Sequence, residues 1–376
     1  MDVAFILTYR CNSRCSMCHV WQHPTLPAEE VPIDFLAKLP AGFRRLVLTG
    51  GEPTLRADLE DIVDLVRPKT RYLEISTNGL LAAPLERIAA RHPEVEISIS
   101  IDGIGARNDT LRGEQDGYER KLATMQRLVA AGGRNIGLTT AIQDGNCDQL
   151  LDLYRLACRF GGEMAGCALH NGFLFHKADN EPANRVRTAR AVQPLVYELL
   201  PSRHPRNWIR AYQHLGMMRK ILGQPRRLPC PAGRDFLFVD PWGRVYACNI
   251  RPDLEIGDLA SQTWKEIMAG SRAAEARTRV ARCTHNCWLA GHARASLRGR
   301  RFPSLVRLQP LGWILANKLR AALGRPIDFD HAVDFRDVAH TPVAARRESG
   351  PGRDFHPVPQ PKTEQPYGAF NNVMNK

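Results

Sequence analysis

What most constrains this chain is an alternation. Up to residue 169, short β-type runs trade places with helix-length segments. The runs are VAFILT (3–8), RLVLT (45–49), YLEIST (72–77), VEISIS (95–100), IGLTTAI (136–142) and, less sharply, GEMAGCAL (162–169). Amphipathic stretches such as ADLEDIVDLVR (57–67) and ERKLATMQRLVAAGG (119–133) lie between them, the second closing on a Gly pair suited to a helix C-terminus. Strand–helix alternation demands βαβ units on a parallel sheet. Six repeats predict an α/β fold, a partial (β/α)6 TIM-like barrel with its site at the C-terminal strand ends.

The first strand runs straight into TYRCNSRCSMCHVW, with thiols at Cys11, Cys15 and Cys18. A closed 4Fe–4S electron-transfer cluster takes four protein ligands. Three ligands leave one iron open to bind a small molecule. The competing reading is a zinc knuckle completed by His19 or His23, since zinc favours four ligands.

The spacing CxxxCxxC resembles the hallmark of the radical S-adenosylmethionine (radical SAM) superfamily. In that family the open iron chelates the amino and carboxylate groups of SAM, and the reduced cluster cleaves the sulfonium to a 5′-deoxyadenosyl radical. The position before the third cysteine is often aromatic there; here it is Met17, with His19 and Trp21 nearby. The resemblance covers residues 1–290 and implies further site residues. LTGGEPTL places Gly50, Gly51 and Glu52 at the end of the second strand, where the family's GGE motif binds the methionine ammonium. STNG supplies Ser76, Thr77 and Asn78, and SISIDG supplies Ser100 and Asp102, at the strand ends that carry SAM-ribose contacts in the family. Read without the resemblance, these are ordinary turn pairs. Arg112, in RNDTLRG, is the candidate partner of the methionine carboxylate.

Near Pro225 the texture changes. CPAGRDFLFVDPWGRVYACN reads as a hairpin around a DPWG turn with Cys230 and Cys248 at its ends, and CTHNC adds Cys283 and Cys287. This resembles the twitch and SPASM extensions of radical SAM proteins. Four thiolates fit the shorter form with one auxiliary 4Fe–4S cluster; a structural zinc site is the rival. A closed auxiliary cluster either takes an electron from a substrate radical, which implies an oxidative outcome, or relays one to the first cluster; an open one binds substrate, and four thiolates favour the closed form. Of the remaining cysteines, Cys158 is expected to be a core thiol, and Cys147 and Cys167 carry no assignment. His170 and His176 fall near the mouth as generic polar histidines.

The expected domains are a barrel over 1–222, a cysteine-rich hairpin/helix domain over 223–295, a basic helical segment over 296–330 and a disordered tail over 331–376. The chain has 376 residues and a formal net charge of +13, which suits an anionic partner without choosing one. Between Ala276 and Ile327 stand eleven Lys or Arg and no Asp or Glu. Within that stretch, Leu311, Ile314, Leu315, Leu319, Ala322 and Leu323 share one helical face. The stretch over 305–323 is either an amphipathic helix on anionic lipid, with Trp313 near its start, or a helix packed on the barrel with a solvated basic face. The sequence has no signal-like leader and no apolar run of about 18 residues, so a reducing cytoplasm is expected, peripheral at the membrane in the first of those readings. The expected activity is hydrogen abstraction from a peptide or an anionic small molecule, with an electron donor such as flavodoxin or ferredoxin. The absence of a peptide-recognition domain before the first strand argues mildly against a peptide. A zinc-binding nucleic-acid or scaffold protein is the alternative from another class; under the enzyme reading no nucleic acid is expected.

Overall fold

The computed structural model describes residues 1–298 and 304–335. Among the described residues, nine strands form a single sheet: β1 (Asp2–Ile6), β2 (Phe43–Thr49), β3 (Thr70–Thr77), β4 (Glu96–Ser100), β5 (Asn135–Ile142), β6 (Met164–Ala168), β7 (Phe236–Val239), β8 (Arg244–Tyr246) and β9 (Glu255–Asp258). The order is β6-β5-β4-β3-β2-β1-β7-β8-β9. Strands β1 to β6 are parallel throughout. Crossover helices such as Leu59–Val66, Ala82–Arg91, Gly117–Ala130 and Leu150–Arg159 bury their apolar faces on it. The sheet is open, with β6 and β9 at its edges.

The FLFV–DPWG–RVY hairpin forms, as β7 and β8, but it is not a detached module. Strand β7 pairs parallel with β1, Asp2 opposite Phe236 and Phe5 opposite Val239, so the hairpin continues the barrel's sheet. All four residues of β7 are buried, as a strand covered on both faces requires. Helix Ala290–Arg298 touches both β6 and β7. Its Arg294 reaches Glu74 in β3 at 3.6 Å. Glu74 and Glu96 also receive Arg45 at 2.7 and 2.6 Å, tying β2, β3 and β4 together through a buried charge network.

Two expectations are corrected, and one choice left open is narrowed. Cys158 is exposed, because helix Leu150–Arg159 turns Leu153, Tyr154, Leu156 and Ala157 inward instead. In helix Ser304–Ala322, only Ile314 of the expected apolar face is buried; Leu311, Leu315, Leu319 and Leu323 face solvent. The helix docks through Ile314 and Asn317, whose Oδ1 accepts from the Asp328 amide at 2.7 Å. The tail does not begin at 331: Ala332 and Val333 are buried, and Arg219 Nη1 donates to the Ala332 carbonyl at 2.6 Å. The rest of the expected tail lies outside the described residues.

Candidate active site

The loop after β1 is zipped to the end of β2. Gly51 and Glu52 amides donate to the carbonyls of Thr8 and Arg10 at 2.7 and 2.8 Å. A Cβ on Gly51 would stand 2.3 Å from the Arg10 carbonyl oxygen, so only glycine admits this approach. On another side, the amides of Arg14 and Ser16 donate to the carbonyls of Arg112 and Leu111 at 3.0 and 2.9 Å. Ser13 Oγ donates to Glu114 at 2.6 Å, Asn78 Nδ2 to Asn12 at 2.6 Å, and the His19 amide to Phe175 at 2.8 Å. Arg10 anchors the loop's start with a two-pronged contact on Glu30, both bonds 2.9 Å.

The loop holds Cys11, Cys15 and Cys18 close enough that each thiol feels at least one of the others. Burial pushes Cys11 up to about 12 and Cys18 to about 11, and raises Cys15. Such thiols stay protonated until a strong cation displaces the proton, which is what iron does on ligation. The Ser13 amide already points at Cys11 Sγ at 3.5 Å, a donor suited to an anionic sulfur.

Glu52 is fully buried. Its Oε1 accepts from the Thr54 amide at 3.0 Å, Thr54 Oγ1 at 2.6 Å and Thr77 Oγ1 at 2.7 Å; among the described residues its Oε2 accepts only from the Asn78 amide, at 2.6 Å. Burial raises its pKa while these four bonds oppose the rise. Glu52 lies near the cysteine loop, since Glu52 and Cys11 feel each other's charge.

The other strand-end residues divide. Thr77 and the Asn78 backbone serve Glu52, and the Asn78 side chain also caps Leu80 at 2.9 Å. Ser76 is half-buried with no side-chain hydrogen bond among the described residues, and Ser100 bonds Thr139 at 3.1 Å. Asp102 accepts from Arg112 Nη1 at 2.6 Å, the Ala141 amide at 2.7 Å and Thr140 at 3.2 Å. Arg112 is thereby occupied: Asp102 and Glu114 hold Nη1 and Nε, leaving Nη2 for any further acceptor. The sequence reading did not anticipate Glu114 or Lys121. Lys121 has no exposed surface, pairs with Glu114 at 2.5 Å and is pushed down to about 8, chiefly by burial. Neither residue sits at a strand end, so no strand-end motif points to them.

Cys230 precedes β7 and Cys248 follows β8, at the far end of the hairpin from its turn; Cys283 and Cys287 come from the loop after helix Ser271–Ala281. The four thiols sense one another, and Arg226 senses three of them. Arg226 Nη1 lies 3.7 Å from Cys287 Sγ, and the Ile250 amide 3.4 Å from Cys248 Sγ. At the other end of the hairpin, Trp242 packs edge-on against Tyr9, centroids 5.4 Å apart, and Tyr9 feels Cys18. The hairpin therefore links the two cysteine sets. His176 joins the same group, stacked on His23 at 4.2 Å and edge-on to Tyr9 at 5.6 Å. Cys167 Sγ lies 3.4 Å from His170 Nδ1, and Cys147 is buried. Among the described residues, all ten cysteines are free, and no group of three or more His, Cys, Asp or Glu is set around a single metal ion.

Residues 5–157 match the sequence profile of the radical SAM superfamily, and residues 230–288 match SPASM, an iron–sulfur cluster-binding domain. Over those two segments the chain is similar to radical SAM proteins that carry a SPASM domain. It is 34% identical over 217 residues to pre-heme d1 synthase of Dinoroseobacter shibae, covering 53% of this chain and 51% of that one. It is 30% identical over 256 residues to mycofactocin maturase MftC of Mycobacterium tuberculosis, covering 64% and 62%. It is 25% identical over 289 residues to the AdoMet-dependent heme synthase of Methanosarcina barkeri, covering 70% and 81%. The match thus spans about half of the first relative and under two thirds of the second. In fold, anSMEcpe with bound AdoMet and Cp18Cys peptide superposes with a TM-score of 0.57 at 13% identity, over 86% of this chain and 98% of that one. Streptococcus suis SuiB bound to S-adenosylmethionine gives 0.55 at 12%, over 74% and 67%.

The radical SAM domain match implies a 4Fe–4S cluster with SAM, and the SPASM match implies an auxiliary iron–sulfur cluster. The residues present fit both. Three half-buried free thiols share one loop near Glu52, and four share the second site with cationic neighbours. The zinc alternative gains nothing from the geometry or the relatives.

Proposed function

We propose that Cys11, Cys15 and Cys18 hold the SAM-binding cluster, and that Cys230, Cys248, Cys283 and Cys287 hold the auxiliary one. Held on these three thiolates, a 4Fe–4S cluster would supply a binding iron for SAM and the electron for its reductive cleavage to a hydrogen-abstracting 5′-deoxyadenosyl radical.

The chain's own residues do the positioning. Glu52 Oε2 offers an acceptor to the methionine ammonium, in a buried setting where a charge-assisted bond is strong. Thr54, Thr77 and the Asn78 amide fix the carboxylate, so little reorganisation is needed when SAM binds. Arg112 Nη2 is the remaining donor for the methionine carboxylate. Asp102 and Glu114 keep Arg112 in place, so they are positioning residues. Ser76 and Ser100 are left for the ribose. The substrate is proposed to be a peptide or an anionic small molecule, oxidised or modified with electron transfer through the second site. The net charge of +13 supports an anionic substrate and an acidic electron donor such as flavodoxin or ferredoxin.

The observation that carries this reading is Glu52, a buried carboxylate near the three-thiol loop. The test is anaerobic reconstitution followed by SAM and a reductant. Wild type should turn brown, hold about eight irons per chain and release 5′-deoxyadenosine. Glu52→Gln should keep the iron and weaken SAM binding by about tenfold or more, as expected for losing a charge-assisted bond. Zinc without iron in wild type would overturn the proposal.

A further inference from the structure

Helix Ser304–Ala322 is inside out. Its inward face carries polar groups with fixed partners. Asn317 is 2% exposed and bonded to the Asp328 amide, and Trp313 Nε1 donates to the Asp328 carbonyl at 3.3 Å. Lys318 Nζ donates to the carbonyls of Leu200 and Ser202, both at 3.1 Å, above the Trp208 ring. Its outward face carries Leu308, Leu311, Leu315 and Leu319, continued by Leu323, which are 56%, 50%, 61%, 62% and 61% exposed. The spacings of three and four place them in one ridge, about 22 Å long at the helical rise. Leucines scattered singly on a surface need no explanation; a continuous ridge does.

The charge around the ridge says what covers it. The helix itself, SLVRLQPLGWILANKLRAA, has three Lys or Arg and no acid. The Lys318 contacts bring the corner at 200–202 alongside the helix, and exposed Arg203 and Arg206 follow that corner. Arg320 and exposed Arg325 lie towards the other end. The nearby acids are few: Asp328 is tied to His331, and Glu198 and Asp330 are exposed. A leucine ridge rimmed by arginines is the pattern of a helix lying in an anionic interface. No described helix is long and apolar enough to cross a membrane, so the helix would lie on the surface.

We propose that helix Ser304–Ala322 docks this chain on an anionic lipid bilayer, its leucine ridge sunk among the acyl chains and the flanking arginines on lipid phosphates. The inference is independent of the chemistry assigned to the cysteine sites.

The test is vesicle co-sedimentation of the full chain with reconstituted clusters, on phosphatidylcholine alone and on phosphatidylcholine with a quarter phosphatidylglycerol. Wild type should bind the anionic vesicles, bind the neutral ones at least tenfold more weakly, and detach as salt rises. The triple variant Leu311→Glu, Leu315→Glu and Leu319→Glu should lose binding by at least tenfold while keeping its iron content and melting temperature, because these side chains are already in solvent. Light scattering of both proteins completes the test. Equal vesicle binding by wild type and variant would overturn the proposal, as would no binding by either. So would a wild-type dimer that the triple variant dissolves without any vesicle binding, which would assign the ridge to a second copy. A variant that loses heat stability or iron would show the ridge covered within the chain, and would overturn it too.

Discussion

The two cysteine sites are built on opposite plans. The first gathers three thiols from a single loop, and backbone hydrogen bonds from the GGE segment and from Leu111 and Arg112 hold that loop in place. Its neighbours are mostly carboxylates: Glu52 near Cys11, Asp102 and Glu114 near Cys15, with Arg112 between them. The second gathers four thiols from three separate segments, with Arg226, Arg251 and Lys220 around them. One is shaped by local chain geometry, the other by packing; under the proposed assignment the first leaves a ligand position free and the second can close on itself. A site of the first kind suits binding and chemistry, and one of the second suits moving electrons.

The sharpest way to break that division is to remove thiols from one site at a time. Cys11, Cys15 and Cys18→Ala together should lower iron by about four per chain and abolish 5′-deoxyadenosine formation. Cys283 and Cys287→Ala should lower iron by a similar amount while SAM is still cleaved without substrate. Iron assay and chromatography of the nucleoside decide it. Loss of SAM cleavage in the second variant would show that the sites do not divide the work this way.

A subtler pair uses two glycines. A Cβ on Gly51 meets the carbonyls of Arg10 and Tyr9 at 2.3 and 2.7 Å, and backbone cannot yield without opening the loop. A Cβ on Gly216 meets the indole of Trp288 at 2.1 Å, next in sequence to Cys287. Gly51→Ala should empty the first site and slow SAM cleavage while sparing the second. Gly216→Ala should displace Trp288 and lower occupancy of the second site alone. Each should cost on the order of 1–3 kcal/mol in urea unfolding, the range for overpacking. Matched iron losses without the difference in SAM cleavage would blur the contrast between backbone-built and packing-built sites.

The same contrast explains what could be read from the sequence. The first site was legible because its thiols, Gly50, Gly51 and Glu52 all lie in the loops that follow strands with clear apolar patterning. The runs at 45–49, 72–77 and 136–142 fall within a residue or two of β2, β3 and β5. Partners set by tertiary contact were not legible. Nothing local announces that β7 pairs with β1, that Arg112 is held by Asp102 and Glu114, or that Lys121 is buried beneath them. Periodicity grouped the leucines of helix Ser304–Ala322 on one face, yet it cannot say which way the face turns. That was decided by Asn317 and Lys318 finding carbonyl and amide partners inward. Cys158 failed for a like reason: a small thiol at the end of a helix is placed by its neighbours, and Leu156 and Ala157 took the inward positions.

The smallest expected effect separates acid sensitivity of the fold from that of either cysteine site. His214, on helix Pro205–Ile221, is buried; its Nδ1 donates to the Arg210 carbonyl at 2.7 Å, and its Nε2 has no partner among the described residues. Burial pushes its pKa down from 6.5 to about 4. The unfolded chain takes a proton near pH 6.5 and the native chain only near pH 4. Between those values the unfolded state binds more protons, so stability falls as the pH falls. At pH 5 the difference of about 1.5 pH units corresponds to ~2 kcal/mol. His214→Gln can keep the bond to the Arg210 carbonyl but cannot titrate. It should lose about 2 kcal/mol less than wild type between pH 7.5 and pH 5 in urea unfolding. Both proteins carry the same cysteine sites, so any acid lability of those sites cancels in the comparison. Parallel losses would mean that the native fold accommodates a charged His214, and the acid sensitivity would then have to be sought at the cysteine sites themselves.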